Sequence, residues 1–193
     1  MATKTKRPRR ALDAYYTPDG STERLLNVLP EFIPSLPVVP RILEPCVGGG
    51  AFPKALTPFL PSETYWVTND LDTQCEADTH WDATDPKSWA LWTHRQTIDA
   101  VITNPPFTVA EQIARGALET QRIRWVILLL RLSFLEPTIS RRQFFRAHPP
   151  TTVVVTPRIS FTGDGKTDNV TTAWVVWDRY YPANTPARFS IDV

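Results

Sequence analysis

The tetrapeptide Asn104-Pro105-Pro106-Phe107 closes an apolar run from Ile98 to Thr103, and its residue types suit one kind of chemistry. Two prolines carry no N–H and hold the chain extended, so the carbonyls around Pro105 turn away from any strand ladder. The Asn104 side-chain oxygen and a proline carbonyl then form a pair of acceptors, with the flat apolar face of Phe107 beside them. An exocyclic aromatic amine is the complement: two hydrogens to donate and a ring to stack. Taken alone, the same four residues also describe a strand that stops at Pro-Pro with Phe107 in the core.

A second cluster, Glu44-Pro45-Cys46-Val47-Gly48-Gly49-Gly50, directly follows the short run Arg41-Ile42-Leu43. Glycines there let backbone approach a ligand at the carboxyl end of a sheet, where α/β folds bind cofactors. An ordinary tight turn is the alternative. No Lys-Ser/Thr follows, which excludes the G-x-x-x-x-G-K-[ST] phosphate loop. The next apolar run, Tyr65 to Thr68, stops at Asn69-Asp70, about twenty residues past the glycines. An acid at that strand tip can accept both hydroxyls of a ribose, a geometry shared with dinucleotide sites, so NAD stays open on this pair alone. In this register the Asn104 tetrapeptide reads as a substrate site rather than a strand stop.

Tyr16-Thr17-Pro18, the Glu44–Gly50 segment and Asn104–Phe107 resemble, in that order, motifs X, I and IV of the amino-group DNA methyltransferases. The order is similar to the γ arrangement, the length resembles small orphan enzymes of bacteriophages, and the likeness runs from about Asp13 to Asp178. It implies methyl transfer from S-adenosyl-L-methionine to the N6 amine of adenine in DNA. It implies that Tyr16, Thr17 and Pro18 contact the methionine moiety, while Glu44 and the loop from Gly48 to Gly50 surround the amino acid and ribose. Asp70 would bind the ribose hydroxyls and Asp82, in His80-Trp81-Asp82-Ala83, the adenine amine; Asp72 and Asp85 compete for these last two places. Asn104 and the Pro105 carbonyl would hold the target amine, with Pro106 completing the motif and Phe107 stacking on the base. Pro157-Arg158-Ile159-Ser160-Phe161 resembles motif VIII, which gives Phe161 the other face of the base.

Pro45-Cys46 resembles the Pro-Cys of enzymes that attack cytosine carbon, but no other part of that pattern surrounds it. Cys46 therefore reads as a packing residue beneath the loop. Methyltransferases acting on adenine in RNA or on protein glutamine share the N-P-P tetrapeptide; the Tyr-Thr-Pro segment favours DNA. A non-catalytic DNA-binding accessory subunit is the alternative of another class, and the intact tetrapeptide argues against it. One departure stands out. γ-type relatives usually carry a recognition domain, yet Ala51–Thr103 is too short for one and little follows Asp178. Selectivity is then low, or resides around Arg131–Arg158, or comes from a separate recognition subunit or homodimer.

These residues need elements to position them. Residues 1–12 read as a disordered basic arm, 13–180 as the catalytic domain and 181–193 as a short C-terminal tail. An amphipathic helix is expected around Tyr15–Leu29, with Leu25, Leu26 and Leu29 at helical spacing, and then a stiff connector with Pro30, Pro34, Pro37 and Pro40. Strands are expected at 41–43, 65–68, 98–103, 125–130, 152–156 and 172–177. Named helices fall at Val109–Thr120 and Thr138–Ala147. The last two strands, around Gly163-Asp164-Gly165, should be antiparallel. The tryptophans at 66, 125, 174 and 177 alternate with β-branched residues as core. The fold class that follows is α/β: a Rossmann-like doubly wound, mostly parallel sheet with a C-terminal antiparallel hairpin strand.

Charge is nearly balanced, 21 basic against 20 acidic residues, but unevenly spread. Lys4, Lys6, Arg7, Arg9 and Arg10 make an arm without acids, Glu44 to Asp99 is acid-rich, and Arg115 to Arg158 is arginine-rich. That division suits a cationic cofactor and a polyanion, although taken alone it is better explained by solvated helix faces. No apolar run approaches the ~20 residues of a membrane span, so the expectation is a cytoplasmic protein (the host cytoplasm for a phage gene). Two cysteines and three histidines, scattered, argue against a metal site.

Overall fold

The computed structural model describes residues 17, 25–26, 30–158 and 170–192. The basic arm, most of the Tyr15–Leu29 segment and the Gly163-Asp164-Gly165 turn lie outside them. Seven strands form one sheet: β1 (Arg41–Glu44), β2 (Tyr65–Thr68), β3 (Ala100–Thr103), β4 (Trp125–Arg131), β5 (Thr152–Val155), β6 (Thr172–Asp178) and β7 (Arg188–Ile191), in the order β2-β1-β3-β4-β6-β5-β7. β1 pairs parallel with β2 and β3, and β3 with β4. β6 runs antiparallel to both β4 and β5, the expected hairpin strand.

Residue parity explains the two-sided core, because successive side chains of a strand point to opposite faces. Trp125, Ile127 and Leu129 of β4 join Phe32, Phe52 and Trp174 on one side. Val126, Leu128 and Leu130 join Trp89, Phe144 and Trp177 on the other. A strand apolar at every position can only be central, since each such side chain left in water forgoes roughly 1.5–3 kcal/mol. Trp125, Trp174 and Trp177 are buried as expected, and Trp66 is half-buried. Leu25 and Leu26 are helical and pack into the Phe32 side.

Four helices are fully described: α1 (Ala51–Leu56), α2 (Pro86–Arg95), α3 (Ala110–Glu119) and α4 (Ile139–Ala147). Two begin on side-chain caps. The Asp85 carboxylate accepts the Lys87 N–H at 2.9 Å ahead of α2, and Thr138 Oγ1 accepts the Arg141 N–H ahead of α4; such caps contribute about 1 kcal/mol each. α3 turns Ala110, Ile113, Ala114 and Ala117 inward at helical spacing.

The stretch expected as a tail contains β7, which pairs parallel with β5 from Thr152↔Arg188 to Val155↔Ile191. All four β7 residues are exposed. Backbone hydrogen bonds at a sheet edge hold it, not burial, so hydrophobic patterning carries no sign of it. Among the described residues no helix is long and apolar enough to cross a membrane.

The chain leaves β1 for β2 on one side and returns to β3 on the other. Strand order therefore reverses between β1 and β3, and the carboxyl ends of those strands border the crevice where open α/β sheets bind ligands. Glu44 ends β1 and Asn104 follows β3 there.

Candidate active site

Beyond Glu44 the glycine loop is stitched to the tip of β2. The Val47 N–H donates to the Asn69 carbonyl (2.9 Å), and the Gly48 N–H donates to Asp70 Oδ2 (2.8 Å). Gly48 and Gly50 sit at φ +51° and +73°, where a side chain is strained. Asn69, completely buried, is the pin. Its Nδ2 donates to the Pro45 and Trp81 carbonyls, and its Oδ1 accepts from the Trp81 N–H and the Thr79 hydroxyl, all within 2.8–3.0 Å. An asparagine amide can thus tie together the glycine loop, the β2 tip and the segment before α2. In the sequence Asn69 reads only as a strand stop.

The acids separate by partner. Asp70 accepts the Gly48 N–H on Oδ2 and the Asp72 N–H on Oδ1 (2.9 Å), which fixes its carboxylate beside the loop. Asp72 closes a local turn onto the Gln74 N–H, and Asp85 is the α2 cap. Asp82 holds the Thr84 N–H and hydroxyl on Oδ1 and stands exposed just before α2. Asp70 thus faces the glycine loop directly, whereas Asp85 has a structural employment.

Glu44 is 1% exposed, and its Oε2 has no hydrogen-bond partner among the described residues. Burial, and then the charge of Asp70, holds its carboxyl well above the usual carboxylate range. A buried carboxyl oxygen without a donor is costly; a cationic group arriving at the glycine loop would relieve it. The residues present therefore fit a cofactor carrying an amino group and a ribose. Burial followed by Asp70 and Glu44 pushes the Cys46 thiol far up. That excludes a ready thiolate, and Cys46 packs against the core as expected.

Across the crevice, Asn104 is 9% exposed, Pro105 is buried, and Pro106 and Phe107 are half-buried. Asn104 Nδ2 donates to Thr17 Oγ1 at 3.2 Å, joining two segments 87 residues apart. With Nδ2 so engaged, Oδ1 is the accepting end of the amide. The Pro106 carbonyl accepts the Val109 N–H (3.0 Å) and turns the chain into α3. Tyr16, Pro18 and Phe161 lie outside the described residues. Thr156 and Thr172, on either side of the undescribed stretch, share a 2.7 Å hydroxyl contact at the sheet edge that holds Asn104.

The arginine-rich region also separates. Arg115 pairs with Glu111, Arg141 donates to the Ser133 and Phe134 carbonyls (2.8 and 3.2 Å), and Arg142 donates to the Pro137 carbonyl. Arg131, the last residue of β4, instead lays its guanidinium 4.5 Å from the centre of the Phe107 ring.

No protein-family model and no curated protein matches the chain. Solved structures do match. The methyltransferase subunit of a type I restriction-modification system from Streptococcus thermophilus aligns at TM-score 0.65 and 13% identity, over 86% of this chain and 45% of that one. A Listeria monocytogenes protein described as a class I S-adenosylmethionine-dependent methyltransferase gives 0.61 and 10%, over 92% and 66%. The 23S rRNA methyltransferase ErmE gives 0.55 and 15%, over 89% and 73%. The chain spans less than half of the type I subunit. Its seven-stranded α/β sheet has the Rossmann-like methyltransferase fold.

Proposed function

We propose that this chain transfers the methyl group of S-adenosyl-L-methionine to the N6 amine of adenine in DNA. One observation carries the reading. Asn104 stands at the end of β3, its amide oriented by Thr17, across the switch point from the Glu44–Gly50 loop. Glu44 and the loop would hold the amino-acid end of the cofactor, Asp70 the ribose hydroxyls and Asp82 the adenine. When bound, the cofactor supplies an electrophilic methyl group on sulfur.

The chain supplies orientation. An aromatic amine attacks poorly because its lone pair is delocalised into the ring. Asn104 Oδ1 and the Pro105 carbonyl accept its two hydrogens, which favours a pyramidal nitrogen with a localised lone pair. N–C bond formation would be matched by loss of the methyl's bond to sulfur, leaving a neutral thioether, and the displaced proton would leave along one of these hydrogen bonds to water. These interactions strengthen toward the transition state, as catalysis requires. No side-chain nucleophile takes part, in keeping with the Cys46 thiol. Phe107 would stack on the extruded base and offset an unstacking cost of a few kcal/mol; Phe161 is proposed for its other face.

DNA is the proposed partner on two grounds, the Tyr16-Thr17-Pro18 segment and the likeness to a restriction-modification subunit. A separate recognition subunit or a second copy would supply sequence selectivity. RNA is the second reading, favoured by the likeness to an rRNA methyltransferase. The full chain with isotopically labelled cofactor, offered DNA, RNA and ribosomal protein in parallel, should label DNA and yield N6-methyladenine on nucleoside analysis. N4-methylcytosine alone overturns the choice of base, and label in RNA or protein alone overturns the acceptor.

Glu44 makes the cofactor assignment testable by pH. Burial and the Asp70 charge keep it protonated in the free protein to higher pH than an ordinary carboxylate, and a bound cation favours the carboxylate. Binding should therefore release a proton, and affinity should rise with pH until free Glu44 is itself ionised. Calorimetry in buffers of different ionisation enthalpy measures that proton directly. Glu44→Gln should bind about tenfold more weakly, with no such pH slope. The same slope in the variant removes Glu44 from the cofactor site.

A further inference from the structure

Beside Phe107, on the side of its ring that Arg131 occupies, lies a cavity of about 150 Å³. Phe107, Thr108, Arg131, Ser133, Phe134 and Arg141 contribute to its walls. The two cations are not equivalent. Arg141 is held by the Ser133 and Phe134 carbonyls, lies over the Phe134 ring and has Glu111 Oε2 at 3.8 Å. Its position is set and its charge is partly answered, as is that of Arg115, which also pairs with Glu111. The Arg131 side chain makes no hydrogen bond or ion pair with any described residue, and its buried Nε is without a partner among them. Its one contact of note is the Phe107 ring, which accepts no N–H in the plane of the guanidinium. A half-buried guanidinium with unanswered donors, open to a cavity, is a receptor for an anion.

The setting narrows the anion. Thr108 and Ser133 add hydroxyl donors to the wall, and α3 begins at the cavity with no side-chain cap on its N-terminus, which adds a weak positive field. A planar fork of donors fits the oxygen pair of a phosphate better than a lone point charge would. The cavity adjoins the ring proposed to stack on the target base, and a nucleotide's own phosphates lie within a few ångströms of its base.

We infer that Arg131, in the cavity beside Phe107, binds a backbone phosphate flanking the target nucleotide and so anchors the extruded base against Phe107. The inference rests on the nucleic-acid reading of the site and assigns it one specific contact. Arg141 and Arg142 then brace the connection between β4 and α4, and Arg131 alone of the three is the phosphate ligand.

The test is binding, read separately from methylation. The full chain is titrated with a labelled single-stranded oligodeoxynucleotide that contains one adenine. A second oligonucleotide carries uncharged methylphosphonate linkages on both sides of that adenine. Arg131→Gln should weaken binding of the first about tenfold and lower the slope of log K against log salt by about 0.7, the share of one phosphate on a single strand. The neutral-linkage oligonucleotide should bind wild type and variant alike. Arg131→Lys should restore the salt slope but only part of the affinity. Thermal unfolding of both variants, with unchanged cofactor affinity, shows that the fold is kept.

Equal loss on both oligonucleotides, or no loss on either, overturns the phosphate contact while leaving the methyl-transfer reading intact. A wild type that binds cofactor but neither oligonucleotide overturns the nucleic-acid reading and this site with it. Inorganic phosphate is the last arm. If it binds wild type and not Arg131→Gln while oligonucleotide affinity ignores the substitution, the cavity takes free phosphate and the backbone assignment is wrong.

Discussion

Asn104→Ala is expected to lower kcat for methyl transfer by about 10²–10³-fold, the usual consequence of removing one preorganised partner of the reacting group. Cofactor affinity should be nearly unchanged, because the proposed contact of Asn104 is with the substrate amine. Its neighbour refines the test. Thr17 Oγ1 accepts from Asn104 Nδ2 and so decides which end of the amide faces the amine. Thr17→Val should therefore reduce kcat with little change in KM, and by less than loss of Asn104 itself, since the acceptor survives with poorer aim. Single-turnover rates with saturating cofactor and calorimetric cofactor affinity separate these outcomes. An Asn104→Ala variant that retains near wild-type turnover would remove the amide from the chemistry. A variant that loses cofactor binding in step with activity would place Asn104 in the cofactor site.

The second large effect is structural. A β-carbon at Gly116 would stand 2.1 Å from Trp89 Nε1 and 2.4 Å from its Cδ1. Trp89 has little freedom to yield. It is 2% exposed, its Nε1–H donates to the Ala83 carbonyl at 2.8 Å, and its ring lies edge-on to Trp92 at 5.2 Å. Helix propensity favours Ala over Gly by about 1 kcal/mol, and overpacking a closed core costs typically 1–3 kcal/mol and occasionally more. Contact this short puts the cost at the upper end, so Gly116→Ala should destabilise by about 1–3 kcal/mol, read by chemical denaturation. A double-mutant cycle identifies the cause. Trp89→Leu should cost markedly less in the Gly116→Ala background than in wild type, because the smaller side chain vacates the space the methyl needs. Additive losses, or a more stable Gly116→Ala, would show that α2 and α3 are not locked through this contact. The same contact bears on the site, since α3 leads from the Asn104 tetrapeptide and α2 follows Asp82.

Patterns local in the chain are legible from the amino-acid sequence. Trp125–Leu130 declares a central strand because a strand covered on both faces is apolar throughout. The two chemical clusters announce their positions because glycines and prolines end strands for backbone reasons that hold in any context. Once Glu44 and Asn104 were read as strand ends, a doubly wound sheet had to bring them to one edge. The antiparallel placement of β6 follows likewise, since no helix fits between β5 and β6.

Other features depend on which surfaces meet, and no local pattern records that. β7 is held at the sheet edge by backbone bonds and by the polar contacts of Arg188 with Thr152 and Glu31, so its side chains carry no mark of burial. Asn69 looks like any turn asparagine until folding gives its amide four hydrogen bonds. The acids between Asp70 and Asp85 are alike in sequence; three-dimensional neighbours make Asp85 a helix cap and set Asp70 against the glycine loop. Arg131, Arg141 and Arg142 are equal as charges in a list, and carbonyls presented by the β4–α4 connection engage the last two while Arg131 is left over Phe107. Hydrophobic period and backbone stereochemistry act over a few residues, so the sheet's central strands and the residue types at their carboxyl ends are legible in the chain alone. Which polar groups are occupied in holding the fold, and which face the site, is settled by packing, because a hydrogen bond or a clash depends on the partner brought within reach.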